Sequence, residues 1–176
     1  DLPDAGARTL LYAPPGFITG NIELCIALGE GGALVVVDEA VRREPAALLD
    51  FLADQAITRA FIPATPTLAM AEVAAGRPRA LAMRHWMMGA EPLRVSPAMR
   101  AFVRALPDTR FFNTHGSTEA GPVARLALPQ DPDGWPATPP IGASWPGVQW
   151  ALLDADDKPV APGETGELVV AGAAVA

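Results

Sequence analysis

Residues 113–119, Asn-Thr-His-Gly-Ser-Thr-Glu, place an amide, an imidazole, hydroxyl groups and a carboxylate in one short segment after the apolar pair Phe111-Phe112. We expect this segment to be a loop, and loops at the carboxyl edge of a parallel sheet are where open α/β folds bind ligands. Gly116 allows the backbone to approach a phosphate closely, Thr118 can donate to a phosphate oxygen, and Glu119 can bind Mg²⁺. The alternative is a solvated connection, which most polar turns after strands are.

The composition favours one folded domain that does not bind nucleic acid. The chain has 176 residues, half of them hydrophobic, which is enough to bury a core. Its 13 Lys and Arg residues are outnumbered by 20 Asp and Glu residues, so the net charge is −7. The basic residues are scattered, and no basic stripe is present that could neutralise a run of nucleic-acid phosphates.

Cysteine and histidine usage points to a reducing compartment without structural zinc. Cys25 is the single cysteine, which excludes an internal disulfide, and His85 and His115 are the only histidines. The longest apolar stretch, 17–37, is interrupted by two glutamates, so we expect no membrane span. Because the chain begins with neither methionine nor an export signal, we expect a cytoplasmic piece of a longer protein.

Short β-favouring runs alternate with helical patterns at intervals of roughly 25 residues, which is typical of strand-helix units in a parallel sheet. The runs are 9–12, 34–37, 60–62, 83–88 and 110–113. Thr65-Pro66 and Ser96-Pro97 each offer a hydroxyl N-cap followed by proline at the first helical position. The sequence therefore predicts an α/β fold with a parallel sheet flanked by helices, spanning residues 1–128.

A Pro-rich segment, 129–140, predicts a linker after this α/β part. Beyond it, in 141–176, the apolar runs 148–153 and 168–170 flank turn-forming residues and predict a small antiparallel β section. The acidic residues at 154, 156 and 157 lack the glycine and the distant glutamate of a calcium-binding loop, so we interpret them as a solvated turn.

Several segments together resemble the adenylate-forming enzymes, and more closely the adenylation domains of nonribosomal peptide synthetases. Residues 113–119 resemble the nucleotide motif of that family, with His115 where an aromatic ring usually stacks on adenine and Ser117 where proline is common. Residues 88–91 resemble the turn that lines the adenine site, and 163–172 resemble the strand motif before the interdomain hinge. Residues 17–33 resemble the helix behind the acyl pocket. The resemblance covers essentially the whole chain, as part of the N-terminal core subdomain.

The resemblance implies an ATP-dependent ligase in the parent protein. Its cofactors would be ATP and Mg²⁺, with Thr118 and Glu119 as the catalytic pair and Glu119 as the metal ligand. The acyl-adenylate would pass to the phosphopantetheine of a carrier protein among neighbouring synthetase domains. The residues implied to hold the nucleotide are Gly89, Ala90, Glu91, Asn113, Thr114, His115, Gly116 and Ser117.

The resemblance also implies a substrate pocket. Its lining would be Phe17, Ile18, Thr19, Ile22, Phe61, Trp86, Met88, Thr114, Pro122 and Val123. Amino-acid-activating relatives carry an aspartate at the position of Ile18, where it pairs with the substrate ammonium. An unpaired buried ammonium costs several kcal/mol, whereas burial of an apolar group gains about 1.5–3 kcal/mol. We therefore expect a carboxylic acid without an α-amino group: a keto, hydroxy, aryl or fatty acid.

The sequence is also compatible with other interpretations. Ile18, Phe61 and Trp86 could be core residues, with the correspondence displaced by one or two positions. Counterparts of the family's phosphate loop and catalytic lysine are missing from the sequence, so we expect the isolated chain to be inactive. It could also be a degenerate subdomain that docks neighbouring domains, or a fragment of a free-standing acyl-CoA ligase. A hydrolase is disfavoured, because Ser117 and His115 share one loop without a nucleophile elbow.

Overall fold

A seven-stranded sheet lies at the centre of the computed structural model, which describes residues 4–173 and residue 175. Residues 1–3, 174 and 176 lie outside the described residues, and with them the end of the predicted 141–176 section. In chain order the strands are β1 (Arg8–Leu11), β2 (Ala33–Val36), β3 (Arg59–Phe61), β4 (His85–Met88), β5 (Arg110–Ser117), β6 (Gly121–Ala127) and β7 (Ala143–Ser144).

The strand order in this sheet is β2-β1-β3-β4-β5-β6-β7. The first five strands run parallel, and β6 and β7 are added in antiparallel orientation beside β5. The helices are α1 (Ile18–Gly29), α2 (Glu39–Arg43), α3 (Pro45–Asp54), α4 (Ala64–Gly76) and α5 (Pro97–Arg104). A separate two-stranded antiparallel sheet contains β8 (Val148–Leu153) and β9 (Glu167–Gly172). The predicted α/β fold with a small antiparallel section is therefore confirmed.

Trp86 in β4 shows how the main core is built. Its side chain is fully buried, and its indole Nε1 donates to Thr67 Oγ1 of α4 at 3.1 Å. Its ring meets Phe102 of α5 edge-on at 5.3 Å and stacks on Phe111 of β5 at 6.0 Å. A buried indole needs a partner for its N–H, and Thr67 supplies it. The core thus lies between the sheet and the helices α4 and α5, which cover one of its faces.

The Pro-rich segment packs against this core. Within it, a short 3-10 helix spans Pro132–Gly134, and the following Trp135 is buried with its Nε1 donating to Pro129 O at 2.7 Å. Arg100 of α5 donates to the carbonyl oxygen of Trp135 at 2.7 Å. The division of the chain into 1–128, 129–140 and 141–176 stays a prediction, but β7 pairs with β6 within the main sheet.

The two predicted helix caps have different outcomes. Ser96 caps α5 as expected, because its hydroxyl accepts a hydrogen bond from Met99 N at 3.1 Å. Thr65 is not a cap, since α4 begins one residue earlier, at Ala64. Instead, the Glu91 carboxylate accepts from Thr65 N and Thr65 Oγ1, both at 2.6 Å. A carboxylate brought from another turn therefore satisfies the free N–H at this helix start.

Helix α1 is fixed to the end of β1 by Glu23. The Glu23 side chain is buried, and its Oε2 accepts hydrogen bonds from the backbone N–H groups of Tyr12 at 3.0 Å and Ala13 at 3.1 Å. One turn earlier, a Cβ added at Gly20 would lie 2.9 Å from the carbonyl oxygens of Ala13 and Pro14. Only glycine therefore lets the helix approach this closely.

Burial raises the pKa of Glu23 to about 8, although hydrogen bonds from Ala13 and Tyr12 act in the opposite direction. The carboxyl group is therefore largely protonated at neutral pH in the folded chain. Its Oε1 is buried without a hydrogen-bond partner among the described residues. A neutral group tolerates that position better than a charged one.

No helix among residues 4–173 and 175 combines the length and the apolar character that a membrane crossing requires.

The raised pKa of Glu23 predicts a pH-dependent stability. The pKa of Glu23 is 4.5 in the unfolded chain and about 8 in the folded chain. The protonated carboxyl group therefore stabilises the folded state fully below pH 4.5, and this contribution is lost as pH rises through about 8. The thermal midpoint should therefore fall between about pH 5 and pH 9 relative to Glu23→Gln, which cannot titrate. Glu72→Gln, at an exposed carboxylate of α4, is the matched control. Parallel pH profiles for the wild type and Glu23→Gln would contradict the prediction.

Candidate functional site

A cavity of about 380 Å³ lies between α1 and the carboxyl ends of strands β3 to β5. The part of the lining that the sequence predicted consists of Ile18, Thr19, Ile22, Phe61, Thr114 and Pro122 for the substrate, and Ala90, His115, Gly116 and Ser117 for the nucleotide. Helix α1, the ends of three parallel strands and the β5-β6 hairpin therefore bring these residues to one place.

Trp86 and Met88, predicted to line the substrate pocket, lie instead in the core beside α4 and α5. Successive side chains of a strand point to opposite faces of the sheet. Because Trp86 and Met88 point to the core, Met87 between them lines the cavity. The pocket prediction was thus displaced by one residue in β4.

Phe17 and Val123 also lie outside the cavity lining. Phe17 precedes α1 and its side chain is 60% exposed. Val123 is buried in a small cluster with Ala120 and Ala124 that packs against Val148 and Val170 of the β8-β9 hairpin. Its role is to attach that hairpin to the main sheet.

Residues 113–117 form the end of β5 and not the expected loop. They pair with β6, with a register irregularity between His115 and Gly116, and the turn begins only at Thr118. A Cβ at Gly116 would clash with the carbonyl oxygen of Gly121. Glycine here lets the hairpin bend toward the cavity.

Asn113 is buried and supports the wall behind the site. Its Nδ2 donates to the carbonyl oxygens of Pro140 at 2.9 Å and Pro139 at 3.3 Å. Its side-chain amide nitrogen is therefore occupied by the Pro-rich segment.

Thr118 and Glu119 lie in the exposed turn beyond β5, next to the cavity-lining Ser117 and outside the lining itself. Hydrogen bonds from its own backbone N–H and from the Ser117 hydroxyl hold the pKa of Glu119 below its usual range. This carboxylate is therefore ionised at neutral pH and reaches solvent.

The donor set of this turn fits Mg²⁺ only together with a phosphate ligand. Among residues 4–173 and 175, no cluster of three or more His, Cys, Asp or Glu side chains could hold a metal by itself. Mg²⁺ commonly takes one or two carboxylates and completes its shell with water and substrate phosphates. Glu119 beside the Ser117 and Thr118 hydroxyls is compatible with that arrangement.

The absence of a side chain at Gly89 lets Thr114 and Phe61 pack closely against its backbone. A Cβ at Gly89 would lie 2.5 Å from Thr114 Oγ1 and 3.1 Å from Phe61 Cζ. Thr114 Oγ1 donates to Met88 O at 2.7 Å, so β4 and β5 are joined by a side chain as well as by their backbones. The next residue, Ala90, lines the cavity with a φ of 66°. Glu91 is used at the start of α4 and does not line the cavity.

Several lining residues were not predicted from the sequence: Ile26, Glu30, Met87, Gly121, Arg125, Trp145 and Pro146. Ile26 and Glu30 continue the i, i+4 series that begins at Ile18 and Ile22, so helical spacing could have identified them. Arg125 and Trp145 are brought to the cavity by the pairing of β6 with β7, and no local sequence signal predicted that pairing. The Arg125 guanidinium lies 4.8 Å from the ring centroid of Trp145.

Comparison with known proteins identifies relatives over nearly the whole chain. The sequence model of a family described as AMP-binding enzyme matches residues 2–176. The hybrid PKS-NRPS synthetase LUC5 of Fusarium sp is 31% identical over 177 residues, which cover 95% of this chain and 4% of LUC5. Syringomycin synthase SyrB1 of Pseudomonas syringae pv. syringae is 36% identical over 167 residues, which cover 92% of this chain and 26% of SyrB1. The chain thus spans a small part of these curated relatives.

Solved structures share the fold. IdnL1 superposes with a TM-score of 0.79 and 32% identity, over 97% of this chain and 35% of IdnL1. PA1221, described as an NRPS protein containing adenylation and PCP domains, gives a TM-score of 0.78 over 96% of this chain and 33% of its own. Its identity of 23% supports a common fold alone.

The crowding at Gly89 predicts that Gly89→Ala destabilises the protein by about 1–3 kcal/mol, because Thr114 and Phe61 must move. Urea unfolding measures the change. Gly134→Ala is the matched control, since a Cβ there meets nothing within 4 Å. Equal stability of the two variants would show that the Gly89 contact yields without strain.

Proposed function

This chain belongs to the AMP-binding enzyme family, and we propose that it is part of an adenylation domain that activates a carboxylic acid with ATP. The observation that carries the proposal is the cavity, where predicted substrate positions such as Ile18 and Phe61 meet His115 and Ser117. The ionised Glu119 lies in the adjoining turn.

The proposed first step is an adenylyl transfer, in which the AMP part of ATP passes to the substrate carboxylate. An oxygen of the substrate carboxylate attacks the α-phosphorus of ATP and forms a new P–O bond. The bond from that phosphorus to the oxygen bridging the β-phosphate breaks, and pyrophosphate leaves with the bonding electrons. Such a step depends on positioning and on neutralisation of charge more than on proton transfer by side chains.

The residues of the β5 end and its turn have distinct parts in this step. We assign the Thr118 hydroxyl to a phosphate oxygen and Glu119 to Mg²⁺, which would neutralise phosphate charge when bound. His115 and Gly89 would frame the adenine. Asn113 supports this site from behind, through its hydrogen bonds to the Pro139 and Pro140 carbonyls.

The proposed second step transfers the acyl group to the phosphopantetheine of a carrier protein. The thiol sulfur attacks the adenylate carbonyl carbon, a C–S bond forms, AMP leaves, and the thiol proton passes to solvent. The synthetase relatives LUC5 and SyrB1 support a setting among neighbouring synthetase domains. An exposed, unpaired Cys25 fits the cytoplasm. We further propose that the chain alone is inactive, because it spans 33% of PA1221, which is described as containing an adenylation domain.

The cavity supports an acid without an α-amino group. Ile18 and Ile22 of α1 and Phe61 of β3 form an apolar wall, and the neighbouring Thr19 is uncharged. Glu30 is the carboxylate of the lining, and it is occupied by an ion pair with Arg59 at 2.8 Å. A substrate ammonium would therefore lack a partner there, at a cost of several kcal/mol.

The role of Glu119 is testable in the intact parent enzyme. Glu119→Gln should lower ATP-pyrophosphate exchange by about a hundredfold or more, because the metal-bound triphosphate loses its protein carboxylate. Circular dichroism should show an unchanged fold, since the side chain is exposed. Glu72→Gln should retain exchange. Activity of Glu119→Gln equal to that of Glu72→Gln would remove Glu119 from the mechanism.

The substrate class predicts a preference among matched acids. In the same exchange assay, an α-keto or α-hydroxy acid should outperform the α-amino acid with the same side chain by about tenfold or more, because only the amino acid brings an unpaired ammonium. Several side chains should be compared in parallel. Preference for the amino acid in such a set would contradict the proposed class.

A further inference from the structure

Arg125 is a cation of the cavity lining without a counter-charge. The other charged lining residue, Glu30, is paired with Arg59. Among residues 4–173 and 175, no carboxylate lies within ion-pair distance of Arg125, and its guanidinium makes no hydrogen bond. Its five N–H donors therefore have no protein acceptor among the described residues of this largely apolar cavity and are open to water or to a ligand.

The guanidinium is held in place by aromatic rings. It lies 4.8 Å from the ring centroid of Trp145 and 5.2 Å from that of Phe112. The backbone of Trp145 is fixed to β6, because its N–H donates to Val123 O at 2.7 Å. Stacking restricts the side chain, but it leaves the N–H donors at the edge of the guanidinium free for a carboxylate.

Arg110 provides an internal comparison. Its guanidinium lies 5.4 Å from the same Phe112 ring, but the residue is exposed and does not line the cavity. Water can satisfy its N–H donors. Both arginines lie near the Phe112 ring, and they differ in that only Arg125 lines the cavity.

Arg125 lies at a distance from the turn where the reacting carboxylate of a substrate would be. Arg125 is the cross-strand partner of Thr114, four residues before Thr118 in the chain. The strand continues from Thr114 to Ser117, a length of roughly 10 Å at about 3.3 Å per residue, before the turn with Thr118 begins. An acid whose carboxylate reacts near the turn would therefore meet Arg125 with its far end.

We propose that Arg125 binds a second carboxylate at the far end of the substrate, so that the site selects a dicarboxylic acid. This inference rests on the proposed adenylation function and narrows its substrate class. A bidentate pair with a carboxylate would satisfy the free N–H donors of Arg125. The same positive charge also disfavours a substrate ammonium in the cavity, in agreement with the apolar wall at Ile18.

The first test measures binding without ATP. Calorimetry on the intact parent protein would compare each dicarboxylic acid from glutarate to suberate with the monocarboxylic acid of equal carbon number. For at least one length, the dicarboxylic acid should bind about ten- to a hundredfold more tightly. Arg125→Met should remove this advantage, Arg125→Lys should restore part of it, and Arg110→Met should retain it.

The second test uses ATP-pyrophosphate exchange with the same acids. Arg125→Met should raise KM for the preferred dicarboxylic acid about ten- to a hundredfold and leave KM for ATP unchanged. Equal wild-type affinity within every pair, or an equal loss in Arg110→Met and Arg125→Met, would overturn the inference. Exchange with monocarboxylic acids alone would also overturn it while the adenylation function stands. Selective binding of a dicarboxylic acid without any exchange would support the Arg125 site and overturn the adenylation function.

Discussion

The alternation of side chains along the parallel strands is the constraint on which the site depends. In β4, Trp86 and Met88 point into the core beside α4 and α5, so Met87 must face the cavity. In β5, Phe111 belongs to the same core, while Thr114, three residues later, points to the opposite face of the sheet and lines the cavity. A one-residue shift in either strand would exchange core and cavity side chains. The packing that stabilises the domain therefore also selects the residues that a ligand can touch.

Helix α1 completes the cavity, and its position rests on a buried polar contact. Glu23 holds the N–H groups that follow β1, and Gly20 permits the close approach. The same helix presents Ile18 and Ile22 to the cavity from its other side. An apolar residue in place of Glu23 would leave two backbone donors without a partner. Keeping the carboxyl group protonated avoids most of the cost of burying a charge there.

Local patterns predicted the parallel sheet because its signals lie within single segments: β-favouring runs, prolines after hydroxyl residues, and helical spacing. The Ser96 cap is such a case. What the sequence did not reveal depends on partners distant in the chain. Thr65 resembles a cap locally, but the start of α4 is satisfied by Glu91. Residues 113–117 look like a polar loop, yet pairing with β6 extends the strand through them. Arg125 and Trp145 meet only because β6 lies next to β7.

The charge of the cavity differs from that of the whole molecule. A chain with a net charge of −7 repels anions at long range, yet the proposed ligands, ATP and a carboxylic acid, are both anionic. At the cavity, Glu30 is paired with Arg59 and the Arg125 guanidinium has no counter-charge among the described residues. Salt screens the exposed surface charges within about 10 Å, whereas groups in a partly buried cavity are screened much less. The proposed recognition of an anion at this site would therefore depend on the local arginine and not on the overall charge.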